Sequence, residues 1–314
     1  MAINTLEYAK IFQEELDKQM LATATSAWME ANAGQVKYSG GDEVKIPKIS
    51  LVGLGDYDRD AGYKQGSVTL SYETKKMTMD RGRSFQLDAM DVDETNFIAS
   101  AGAVMGEFQR TKVVPEIDAY RYASIFKAAG DSHKTTYTAA AASILDALDS
   151  DITTIQDTIG ESEPMLIIMS YKVQAILDAA KNVDRYINVG EFQNGSVKTK
   201  VKIYNDIPIV DVPSARFKSA YTFDAGATKD AGGFTPASDA VDINWIVLSR
   251  RAPIAVSKQD LVRIFDPNTN QDANAWRMDY RKYHDLWIKD NALDAIRVNA
   301  PDLDAIRVNA PDKV

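Results

Sequence analysis

Hydrophobic and polar positions change rhythm several times along this chain, and each change predicts a different element. Leu6, Ala9, Phe12, Leu16, Met20 and Ala24 recur at steps of three and four, with Trp28 following. That spacing predicts an amphipathic N-terminal helix, capped by Asn4 or Thr5 and ending near "NAGQVKYSGGD". The period then drops to two. Residues 43–52 and 67–80 read as strands, the second alternating Val68, Leu70, Tyr72, Thr74 and Lys76 against polar neighbours. Between them lies the turn-rich "GLGDYDRDAGYKQG". Such a two-stranded arm cannot support itself as an isolated hairpin and has to lie on another surface.

A helical rhythm returns with Phe97, Ala101, Val104, Met105 and Phe108, after a cap at Asp93 or Thr95. Pro115 should kink this helix or start a second segment, which continues through Ile117, Tyr120, Ile125 and Phe126 to Gly130. From 131 helices and strands alternate: "TAAAASILDALDSDITTIQDTIG" as helix, "EPMLIIMS" as buried strand, "SYKVQAILDAAK" as a helix capped by Ser170. "GSVKTKVKIYNDIPIVDVPSARF" follows as a hairpin turning at Asn205-Asp206, and "VDINWIVLS" as a further strand. Last comes a run without a helical face. Between Ala275 and Ile288 the side chains Trp276, Met278, Tyr280, Lys282, His284, Leu286 and Ile288 share one side of an extended chain. Arg277, Asp279, Arg281, Tyr283, Asp285 and Trp287 share the other. This predicts a strand about twice the usual length. The decapeptide "LDAIRVNAPD" stands at 293–302 and again at 303–312; the first copy is expected to serve as a terminal strand and the second to be dispensable.

Composition narrows the function classes. With 314 residues, 45% hydrophobic and 26% charged, the chain has globular proportions and length for one large or two ordinary domains. It contains no cysteine, which excludes disulfides, thiolate metal sites and cysteine nucleophiles. The net charge of −9 argues against a phosphate-gripping or anionic-lipid-binding surface. No apolar run has membrane-span length, and "MAINTLEYAK" lacks a secretory pattern. The expectation is a soluble protein made in the cytoplasm, without a membrane partner.

Chemical motifs are thin. Asp56, Asp58 and Asp60 have the one-three-five spacing of a calcium loop, but Ala61 and Ser67 stand where glycine and glutamate are needed. Asp266, Asn268 and Asn270 repeat the partial match, with Arg277 at the twelfth place. Turn chemistry accounts for both. Gly53 and Gly55 begin a dinucleotide fingerprint that Asp58 breaks, with no helix after it. The two histidines, His133 and His284, belong to no metalloprotease signature, and Asp91 and Asp93 read as helix-start carboxylates. The expectation is therefore no catalytic residue, no metal site and no cofactor. The competing enzyme reading, an α+β hydrolase with a scattered active site, would centre on His284.

The order of parts, together with "VVPEIDAYRYA" (113–123), "IYNDIPIVDVPSARF" (203–217) and "RIFDPNTNQDANAWRMDYRKYHDLWIKDN" (263–291), resembles the major capsid proteins of tailed bacteriophages, the Hong Kong 97-like fold, over roughly residues 1–300. The resemblance implies an α+β chain with an N-arm at 1–42 and an extended loop with flanking strands at 43–90. A peripheral domain would combine 91–130, with its long spine helix, and 243–292. An axial domain would span 131–242, and 293–314 would form a tail. It also implies self-assembly into hexamers and pentamers around double-stranded DNA held by weak contact, in the virion, with portal and separate scaffolding or decoration proteins as partners. In that setting Arg277, Asp279, Arg281 and Asp285 would pair charges across a subunit seam, with Trp276, Tyr280 and Trp287 as anchors. Lys64, Lys75 and Lys76 occupy the loop that some relatives cross-link to a neighbour. An encapsulin-like bacterial compartment is the nearest alternative.

Overall fold

Strand Met165–Ser170 (β6) is a six-residue apolar run whose alternate side chains are buried on both sides, as a strand inside a covered sheet must be. The computed structural model describes residues 24–38, 42–60, 62–90, 104–160, 163–180, 187–194 and 197–301. Around β6, strands Lys134–Thr136 (β5), Ile187–Asn194 (β7), Val197–Tyr204 (β8), Ile207–Val212 (β9), Trp245–Ser249 (β12) and Ile296–Ala300 (β15) complete a seven-stranded sheet in the order β5-β15-β12-β6-β9-β8-β7. The β15–β5 and β6–β9 pairs are parallel and the rest antiparallel.

The two faces of this sheet form two cores. Ile167, Met169, Trp245 and Val247 pack under helices Ile144–Ile159 (α2) and Tyr171–Asp178 (α3) through Leu148, Ile152, Ile155, Val173 and Leu177. Leu166, Ile168, Ile246, Leu248, Ile296 and Val298 point the other way, to helix Val114–Ala128 (α1), and to Trp28 and Met29 of the 3-10 helix Ala27–Gln35. Locally the predicted devices are present. Ser170 accepts a hydrogen bond from the Val173 N–H and caps α3. Asn205 and Asp206 both have positive φ, 46° and 65°, as a two-residue hairpin turn requires.

The long strand is Ala275–Ile288 (β14), the bounds read from the sequence. It lies between Pro253–Phe265 (β13) and Met79–Asp88 (β4). Its side facing Met105, on the helical turn at 104–108, is the buried one and carries Met278 and Tyr280. Pro115 acts as expected. It has no N–H to continue an α-helical ladder, and the turn before it, Gln109–Val113, widens into a π segment ahead of α1.

One strand was misread. Residues 67–80 are not continuous: Val68–Lys76 (β3) ends, Met77 and Thr78 cross between sheets, and β4 begins at Met79. β3 pairs with Glu43–Leu51 (β2), flanked by the short Lys37–Tyr38 (β1). The seven-stranded sheet draws β5 to β9 from 131–242 and adds β12 and β15 from beyond it, while Tyr221–Asp224 (β10) and Gly233–Pro236 (β11) pair by themselves. The N-terminal stripe from Leu6 to Met20, the Asp93 or Thr95 cap, Phe97, Ala101 and the second decapeptide lie outside the described residues.

Candidate assembly surface

Strands β2 and β3 form an arm whose two halves have opposite inner faces. In its register Val44 sits opposite Lys75 and Ile46 opposite Glu73, while Pro47 meets Tyr72, Ile49 meets Leu70 and Leu51 meets Val68. Side chains alternate, so Val44 and Ile46 share one face and the Pro47–Leu51 ladder the other. At the root, Val44 and Ile46 are fully buried with Val36, Met77, Ile254 and Val256. Beyond the root the apolar face changes sides. Ile49, Leu51, Val68 and Leu70 are 60%, 69%, 71% and 57% exposed, and Tyr72 is exposed beside them.

The tip continues the surface. Val52, Leu54, Tyr57 and Tyr63 are exposed, and the two tyrosine rings meet edge-on with centroids 4.9 Å apart. Four charged groups of the arm are already engaged: Lys48 with Glu73 (3.8 Å) and Asp290 (3.6 Å), Lys75 with Glu73 (3.7 Å), Lys76 with Asp42 (3.4 Å). Beside them an apolar ladder several side chains long faces water, of the kind a soluble monomer rarely exposes and an interface covers. The Asp56–Asp60 loop is turn chemistry, with Asp58 accepting from the Asp60 N–H at 2.9 Å. Asp266 does the same for the N–H and hydroxyl of Thr269.

At its root the arm meets the strand that sequence singled out. Asp285 is buried; its Oδ2 accepts from the Thr78 N–H (2.8 Å) and hydroxyl (3.1 Å), and its Oδ1 from Tyr120 (2.5 Å). Burial, reinforced by that carboxylate, pushes the Tyr120 phenol up to about 12. His284 is buried against the Tyr120 ring, at 5.5 Å and 89°. Burial first, then the positive Arg121, Lys282 and Arg81, hold its imidazole well below the usual value, so it is neutral at pH 7. Lys282, also buried, donates to Asp260. Arg277 pairs with Asp279 (3.0 Å) and Asp272 (2.6 Å), and Arg281 with Asp80 (2.8 and 2.5 Å). These charges, expected to reach across a seam, are satisfied within their own chain. Tyr280 and Trp287 likewise pack into their own subunit.

Sequence reasoning missed a second carboxylate. Asp118 on α1 has no exposed surface and accepts from the N–H and hydroxyl of both Thr25 and Ser26, at 2.6–3.1 Å, and from Arg216 at 2.8 Å. Arg121, one turn on, donates to the Ser26 carbonyl (3.0 Å) and to Glu30 (2.5 Å). Burial alone would raise Glu30, but Arg121 and Lys282 outweigh it and hold its carboxyl below the usual range. "DAYRY" reads as one helix face plus polar neighbours, and nothing local reveals that Asp118 and Arg121 are buried.

Neither histidine is placed for nucleophilic catalysis. His284 Nδ1 has no hydrogen-bond partner. His133 has Ser132 Oγ 2.9 Å from Nδ1 and Asp294 3.1 Å from Nε2, a superficial triad. Its Nδ1 also faces the Ala129 carbonyl at 3.1 Å, and a nitrogen that donates there cannot take the serine proton. The contact joins the end of α1 to the turn before β15.

No protein-family model matches this sequence, and no curated protein does. Solved structures do. The capsid of the cyanophage P-SCSP1u superposes with a TM-score of 0.59 at 14% identity, covering 85% of each chain. The mature capsid of bacteriophage PhiM1 gives 0.56 at 17%, over 87% of this chain and 84% of that one. A virus-like particle from Pyrococcus furiosus gives 0.52 at 12%, over 94% of this chain and all of that one. The chain therefore has the α+β fold of these phage capsid structures.

Proposed function

We propose that the chain is the shell subunit of an icosahedral head of a tailed phage or prophage, assembling into hexamers and pentamers around double-stranded DNA. The exposed apolar ladder of the arm carries this reading: Ile49, Leu51, Val68, Leu70 and Tyr72 have no cover within the subunit, and a neighbouring copy supplies it. Repeated head-to-tail contacts of this kind close into rings, and rings joined edge to edge make a shell. A capsid fold is the setting in which one chain repeats such a contact many times.

In this reading 1–42 is the N-arm, 43–90 the extended loop, 91–130 with 243–292 the peripheral domain, and 131–242 the axial domain meeting its copies at the ring centre. An acidic chain suits the inside, where duplex DNA is confined without being gripped. Portal, scaffolding and decoration proteins are the further partners, and the shell performs no catalysis.

A shell enclosing protein cargo is the second reading, favoured by the virus-like particle whose whole length is matched. Light scattering and negative-stain microscopy of the purified protein test both. Uniform hollow spheres of megadalton mass are expected, and compact monomers at every concentration and salt would overturn the assignment. Nuclease-protected DNA inside the particles separates the first reading from the second.

A further inference from the structure

The root of the arm and the residues Thr25 and Ser26 lie far apart in sequence, yet both are held on the same stretch of α1. Met77 and Thr78 belong to neither sheet; here the chain crosses from the arm to β4. No proline stiffens this crossing, so tertiary contacts must fix its angle. Thr78 is held through its N–H and hydroxyl by Asp285, and Asp285 in turn by Tyr120 of α1. The Tyr283 hydroxyl reaches the Met77 carbonyl at 3.3 Å, and the Met77 N–H donates to Asp42 at 2.9 Å. At the other root Thr25 and Ser26 are held, again by N–H and hydroxyl, on Asp118, and Tyr122 donates to the Thr25 hydroxyl at 2.9 Å. Asp118 and Tyr122, four residues apart, share one side of the helix, whereas Tyr120 projects from the other.

We propose that Asp285 and Asp118 are paired latches, one buried carboxylate clasping the arm at Thr78 and the other clasping Thr25 and Ser26, and that the Asp118–Tyr122 turn of α1 couples them. Neither latch can be opened by a small change of side-chain angle, because each carboxylate fills its lone pairs with four or five donors and would be stranded without them. The helix cannot shift or rotate without disturbing both clasps, so the arm root and the Thr25–Ser26 stretch are fixed together. What the coupling serves, holding the arm at one angle for a neighbouring copy, rests on the shell reading above; the clasps themselves do not.

Hydrogen exchange on unassembled protein tests the device directly. Asp285→Asn, which puts an amide donor against the Thr78 and Tyr120 donors, should speed exchange of the Thr78 amide about ten-fold or more. Tyr120→Phe should do so by less, and the mild Thr78→Val serves if Asp285→Asn does not fold. Asp118→Asn should speed Thr25 and Ser26 and, through the helix, Thr78 as well. A Thr78 amide unchanged in Tyr120→Phe and Asp285→Asn overturns the latch. Acceleration confined to Thr25 and Ser26 in Asp118→Asn overturns the coupling. If wild-type protein forms no shells but these exchange patterns hold, the shell reading fails and the latches stand.

Discussion

The root and the far end of the arm are built from the same two strands, yet they bury opposite faces. Near the body Val44 and Ile46 point inward to Met77, Ile254 and Val256. A few residues outward the apolar positions shift to the odd side, and Ile49, Leu51, Val68 and Leu70 face solvent. A strand that changes its apolar face midway is made for two different surfaces, since side chains alternate and one face cannot serve both. The first surface is its own body. The second is absent from the isolated subunit.

The sharpest way to break this division is at the root. Ile46→Ala should cost about 2–5 kcal/mol, as for other buried large-to-small changes, seen as a lower denaturation midpoint. A root that tolerates it as well as the far end does would erase the distinction. Gly82→Ala comes next, on the strand the root feeds into. An added Cβ there would lie 2.7 Å from the Tyr280 carbonyl oxygen, so β4 must move off β14. About 1–3 kcal/mol of destabilisation is expected in a chemical melt.

Acid should act on the root and spare the far end. His284 is held neutral, with its pKa depressed below 6.5. The unfolded chain therefore takes up a proton that the folded one refuses, and stability is lost as pH falls below about 6.5. Glu30 is depressed too, so its contribution is lost only further down, below its ordinary 4.5. Melting temperatures between pH 7 and 5 should drop in the wild type and drop less in His284→Gln. A parallel slope in both would place the acid response elsewhere. The smallest effect on folding belongs to the far end. Leu70→Ser should shift the melting transition of the unassembled protein by no more than about 0.5 kcal/mol, while light scattering shows loss of shells. Intact shells in that variant would show that the ladder is not a contact.

Much of this was legible in the sequence because it is written locally. The bounds of β14, the Asn205-Asp206 turn and the Ser170 cap each follow from residues adjacent in the chain. The break at Met77–Thr78 was not, because no turn residue marks it and Asp285, which fixes it, is over two hundred residues away. β13 escaped notice for a related reason. Its first residues are buried and its later ones half-covered, so no single alternation runs through it. The pairs that matter most at the roots, Asp118 with Ser26 and Tyr120 with Asp285, join polar residues whose burial only the assembled tertiary structure creates.

β15 has a consequence for synthesis. This strand, close to the C-terminal end, is not an edge: it slots between β5 and β12, and its Ile296 and Val298 are fully buried. A polypeptide still on the ribosome, or broken off before Ile296, leaves β5 and β12 with bare edges and β5 cut off from the rest of the sheet. Prematurely terminated products therefore cannot complete their interior, and their unfolded chains are open to proteolysis.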